Sequence, residues 1–71
     1  MPTADETRRR RAAALALRAS GNPWPDVAAV AGYSSGRHAA RAVRQELDRR
    51  ITSAEQQLAH ARELTAQIFG N

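Results

Sequence analysis

The chain has 71 residues and a formal net charge of +4, with eleven arginines and neither lysine nor cysteine. That length allows one small domain, and the missing cysteines exclude a disulfide scaffold, thiol catalysis and a cysteine-based zinc site. Sixteen residues are alanine and only 14 carry larger apolar side chains, a thin core that favours helices and implies a partner. The longest apolar run, Ala12 to Leu17, is far below the ~20 residues that span a bilayer. No stretch of the signal-peptide kind follows Met1-Pro2, so the expectation is a soluble, cytoplasmic chain with no membrane partner.

Thr3-Ala-Asp-Glu6 reads as a capping box that opens a first helix over about 4–19, with Gly21 at its C′ position. Its apolar residues form two stripes, Ala12-Leu15-Ala16-Ala19 and Ala13-Leu17, either of which can face a core. Asn22-Pro23-Trp24-Pro25 then breaks the chain, because prolines are tolerated in a first helical turn and not beyond it. A second helix follows over about 24–31, with Trp24, Val27, Ala28 and Ala31 on one stripe. Gly32 ends it, and Tyr33-Ser34-Ser35-Gly36 supplies a turn and a serine N-cap. A third helix begins near Ser35 or Gly36, with Ala39, Ala42, Val43 and Leu47 facing the core. Arg37, Arg41 and Arg44 lie on roughly the opposite side, flanked by His38 and Gln45. Glu46 falls on the core side, where Arg50 or an arginine of the first helix can pair with it.

The last segment leaves two readings open. Thr52-Ser53-Ala54-Glu55 is a second capping box and can start a fourth helix. Yet Ile51, Ala54, Leu58, Ala61, Thr65 and Ile68 are spaced 3, 4, 3, 4, 3, a heptad seam whose phase nearly continues the third helix. Charge divides at the same place. Residues 1–50 hold ten arginines against five carboxylates, +5, whereas residues 51–71 hold Arg62 against Glu55 and Glu63, −1. A basic front part suits a polyanion, and a near-neutral tail suits protein.

Two short helices joined through Ala28-x-x-x-Gly32-Tyr33-Ser34-Ser35 make a helix-turn-helix, with small Ala28 under the crossing and Gly32 at the turn. The expected fold is therefore all-α: a three-helix, homeodomain-like helix-turn-helix core over 1–50. A C-terminal helix over 51–71 would extend or follow its recognition helix. Gly21 to Ala28, then Gly32-Tyr33-Ser34-Ser35 and Ala39 to Val43, resemble the helix-turn-helix DNA-binding proteins of actinobacterial phages and their hosts. Those are similar to the DNA-binding regions of small terminase subunits and of homeodomain-like regulators. Prolines 23 and 25 stand where a serine or threonine cap and a polar residue are usual in that family. The resemblance covers roughly residues 8–50 and implies double-stranded DNA as partner, in a phage-type transcription regulator or terminase-like recognition module.

On this reading the third helix, about 35–50, enters the major groove. Arg37, Arg41 and Arg44, with His38 and Gln45, face the DNA, and Ser34 and Ser35 act first as caps and then as phosphate donors. Arg8, Arg9, Arg10 and Arg11 cover every side of their helix turn, so at most two of them can reach one phosphate strand. Trp24 and Tyr33 are expected mainly in the core. Ile51, Ala54, Leu58, Ala61, Thr65 and Ile68 are expected to mediate homo-oligomerisation, with a dimer favoured. The competing arrangement folds this segment back over the first helix as part of a monomeric domain. The competing function is a protein–protein adaptor working through the C-terminal heptads. No cofactor, metal or catalytic residue is expected. His38 and His60 are far apart, and there is no nucleophile with a base at motif spacing, no carboxylate pair and no glycine-rich phosphate cradle.

Overall fold

A computed structural model describes residues 3–70 and contains three helices; among the described residues there is no strand. The helices are α1 (Ala4–Ala19), α2 (Trp24–Ala31) and α3 (Gly36–Phe69). Met1, Pro2 and Asn71, which the expected domain ranges 1–50 and 51–71 include, lie outside the described residues. None of the helices is long and apolar enough to cross a membrane.

Local chemistry accounts for each helix end. Thr3 Oγ1 accepts from the Glu6 N–H at 3.1 Å and caps α1. A Schellman arrangement closes it: the Asn22 N–H donates to Leu17 O at 3.2 Å and the Gly21 N–H to Arg18 O at 2.9 Å. α2 starts on Pro23 with no side-chain cap and carries Pro25 and Asp26 in its first turn. There the missing proline donor has no helical acceptor to lose, and Asp26 suits the positive end of the dipole. It ends at Gly32, whose φ of 88° is the left-handed conformation that a side chain disfavours. Ser35 caps α3, its Oγ accepting from the His38 N–H at 3.2 Å.

All three helix pairs pack against one another. The core is small and built of short side chains: Ala14, Val27, Ala28, Ala39 and Val43 are buried, with Leu15, Leu17, Trp24, Ala31 and Tyr33 packed against them. Gly36 allows α3 to start close against α2. A Cβ there would lie 3.1 Å from Trp24 Cβ and 3.3 Å from the Trp24 carbonyl carbon.

Two sequence expectations change, and one of the two readings of the last segment is excluded. The one fully buried residue of α1 is Ala14, which belongs to neither apolar stripe; Ala12 and Leu15 of one stripe and Leu17 of the other are half-buried beside it. Thr7 and Arg11 are half-buried as well, at i and i+4 from each other and at i−7 and i−3 from Ala14. The contact face therefore runs between the two stripes, and part of it reads as polar in sequence because an arginine stem lies along the body. Leu47 is 43% exposed and lines a groove; the fourth inward position of α3 belongs to Glu46, 1% exposed. Finally, α3 runs unbroken through Thr52-Ser53-Ala54-Glu55 to Phe69. No glycine or proline interrupts it, so the second capping box never acts as one. The segment therefore does not fold back over α1. From Ala54 to Gly70 every residue is exposed, and α3 gives the molecule its 55 Å length.

Candidate nucleic-acid interface

The exposed flank of α3 carries Arg37, Arg41 and Arg44. Successive residues turn by ~100°, so these three fall within an arc of ~60°, and Gln45 and His38 continue the surface toward α1. Arg49 and Arg50 are excluded from it. Their guanidiniums grip the buried Glu46 carboxylate, at 2.5 Å from Arg49 Nη2 and 3.2 Å from Arg50 Nε. The hydrogen bond from Arg49 holds the Glu46 carboxyl below its ordinary value against the opposing effect of burial, with Arg50 adding to it. No buried side-chain nitrogen or oxygen among the described residues is left without a partner.

His38 is fixed by the turn before it. Its Nδ1 lies 2.9 Å from Ser34 Oγ and 2.8 Å from Ser35 Oγ, which leaves Nε2 as the outward-facing nitrogen. The two serines are thus occupied in ordering the first turn of α3, and Ser35 is half-buried.

α1 divides its arginine run. Arg10 and Arg11 line a cleft of about 190 Å³ together with Thr7, Tyr33, His38, Arg41 and Gln45, and no carboxylate borders it. Arg8 and Arg9 are exposed and lie outside the cleft. The Arg10 guanidinium sits 5.9 Å from the Tyr33 ring centroid. Burial pushes the Tyr33 hydroxyl above its usual pKa while Arg10 and Arg11 oppose the shift, so it stays a neutral donor at physiological pH. Three guanidiniums from two helices converge here with a phenol and an imidazole, and the guanidiniums and the phenol can all donate. Such a cleft suits an oxyanion, since arginine pairs in a planar fork with phosphate. Tyr33 is legible in the sequence as a mainly core residue whose hydroxyl can reach a phosphate, but Thr7 is not, because nothing at the sequence level links position 7 to position 41. The link requires knowing that α1 turns its Thr7-Arg11 side toward α3.

A second groove of about 690 Å³ opens along α3 beside its arginines, lined by Trp24, Val43, Leu47 and Ile51 together with Arg37, Arg41, Arg44 and Asp48. Trp24 is only partly buried, and Arg18 lies over its ring at 4.6 Å. Among the described residues no three His, Cys, Asp or Glu side chains gather as a metal site. No protein-family model, curated protein or solved structure matches this chain.

Proposed function

We propose that this chain binds double-stranded DNA as a homeodomain-like helix-turn-helix protein. α2 is the supporting helix, and the first half of α3 is the recognition helix in the major groove. The observation that carries this reading is the grouping of cations. Arg37, Arg41 and Arg44 share one exposed face of α3, and the cleft carries that surface on to Arg10 and Arg11 of α1. The α3 arginines are suited to guanine edges and the α1 pair to the flanking phosphates. A role as a phage-type transcription regulator or a terminase-like DNA-recognition module fits the resemblance over residues 8–50.

Titration of a labelled duplex at 50 and 200 mM salt tests it. The Arg10–Arg11 pair alone should give a log–log slope of about −2, and each further arginine that takes a phosphate should steepen it by about 0.9. Absence of binding even at the lower salt would favour the adaptor function, in which the exposed seam of α3 does the work.

A further inference from the structure

Beyond Ile51, α3 leaves the three-helix body with no neighbour along its length. Its large apolar residues nonetheless gather toward one side. Of the six exposed large apolar side chains on α3 among the described residues, Leu47, Ile51, Leu58, Ile68 and Phe69 lie within an arc of ~100°, and Leu64 stands ~40° beyond its edge. Ala54, Ala61 and Thr65 fill the same arc. At its inner end the seam opens into the groove between Trp24 and Leu47-Ile51. At its outer end stands Phe69, 83% exposed. Phe69 lies 18 residues and five full turns beyond Ile51, ~27 Å away along a rigid helix, so it cannot reach the groove of its own chain.

We propose that two copies pair antiparallel along this seam, the Ile68-Phe69 end of each α3 seating in the Trp24–Leu47–Ile51 groove of the other. The heptad positions match in one register. Ile51 meets the partner's Ile68, Ala54 meets the partner's Thr65, and Leu58 meets the partner's Ala61. Leu58 thus faces the partner's small Ala61 in the two central layers, Ala54 and Thr65 form a small layer on either side, and Ile51 faces Ile68 at each end. A parallel pair in register would instead set Ala54, Ala61 and Thr65 each on its own copy, three small layers in place of two.

Charge favours the same arrangement. Side by side, parallel chains would bring two +5 bodies together, whereas antiparallel chains hold them at opposite ends. Glu55 then falls within about a turn of the partner's Arg62. Phe69 and Ile51 share one angular position, and a two-fold axis perpendicular to the helices keeps the partner's Phe69 on the groove side. The same axis sends both arginine faces out on one side of the dimer, ~55 Å apart along the helices.

The chain contains no cysteine, so single introduced thiols report the pairing without interference. Ala54→Cys and Thr65→Cys are exposed positions that leave the body intact. When mixed and oxidised without DNA, the two variants should cross-link to each other and neither to itself, because like positions lie ~16 Å apart and a disulfide needs Cα atoms within about 7 Å. Light scattering of the full chain should give twice the 7.7 kDa of one copy. Trp24, the only tryptophan, should emit at longer wavelength in Phe69→Ala, a change the distant Phe69 of the same chain cannot cause. A mass of 7.7 kDa at micromolar concentration, self-cross-linking of each thiol variant, or Trp24 emission indifferent to Phe69→Ala would each overturn the proposal. None of these readouts involves DNA, so the outcome is separate from that of the DNA-binding test.

Discussion

Arg18 stacks over Trp24 with its guanidinium 4.6 Å from the ring centroid, and its Nη1 also donates to Asn22 O at 3.0 Å. One side chain thus ties the last turn of α1 both to the connecting loop and to the first residue of α2. Arg18→Ala removes a cation–π contact and an exposed hydrogen bond, a loss of about 1–2 kcal/mol. In a domain this small the melting temperature should fall by roughly 4–16 °C. Arg18→Lys should recover part of the loss, since a lysine keeps the charge over the ring and loses the planar stack. Thermal melts followed by circular dichroism decide it; equal melting points for Arg18→Ala and the parent would show that the stack contributes nothing.

The two glycines that bracket the α2–α3 turn should respond for different reasons. Gly32→Ala places a side chain at a φ of 88° with no steric obstacle closer than Arg10 Nε at 3.8 Å. Its cost is backbone strain alone, about 1–2 kcal/mol. Gly36→Ala sits in the first turn of α3 and would stabilise an isolated helix by up to ~1 kcal/mol. Contact at 3.1 Å with Trp24 Cβ opposes that gain. We expect a net loss of stability accompanied by altered near-ultraviolet dichroism from Trp24. A Gly36→Ala variant more stable than the parent would mean that α3 can shift outward freely.

Much of this architecture was legible in the sequence. The three helices begin and end where the caps, Gly21, Gly32 and the prolines put them, because those signals act through one or two local hydrogen bonds. The α1 face was not legible. Ala14 is no more apolar than Ala12 or Ala13, and the arginines that flank it face the body through their stems and through ring stacking. Hydrophobic periodicity cannot register that kind of burial. Leu47 failed for a related reason: Glu46 takes the inward position because Arg49 and Arg50 satisfy its charge from the next turn. Within the candidate site, α3 supplied its arginines by simple periodicity. The pairing of Arg10 and Arg11 with Arg41 depends on how two helices cross and had no local signature.

The Glu46 cluster should be asymmetric under mutation. Arg49 and Arg50 are about half exposed, so removing the carboxylate strands no buried charge, and Glu46→Leu should be close to neutral. Arg49→Ala together with Arg50→Ala leaves a buried carboxylate unpaired and should cost up to about 3 kcal/mol. The pH response follows from the direction of the shift. A carboxyl held below its ordinary value in the folded state contributes stability that is fully present above the ordinary glutamate range. That contribution is lost as pH falls through the depressed folded value. Melting temperature should therefore drop more steeply in acid for the parent than for Glu46→Leu, and parallel acid profiles would show that the cluster does not couple folding to protonation.

The DNA-binding reading separates the arginines of α1 from one another as well as from those of α3. Arg10 and Arg11 border the cleft that includes Arg41, whereas Arg8 and Arg9 project elsewhere. Removing Arg10 and Arg11 together should flatten the salt dependence by nearly two units of log–log slope, at about 0.9 per lost phosphate contact. Base preference should be kept, because phosphate contacts position a protein without reading sequence. Removing Arg8 and Arg9 should change the slope by less than one unit. Arg41→Ala is expected to behave differently from either pair. If it forks onto a guanine, its loss costs ~1–3 kcal/mol on the preferred duplex and relaxes discrimination at one base pair. Measuring all three variants against one panel of duplexes at two salt concentrations gives each a distinct signature. Equal slope changes for the two α1 pairs would mean that the cleft does not hold a phosphate. Uniform weakening by Arg41→Ala across the panel would move that residue from the bases to the backbone.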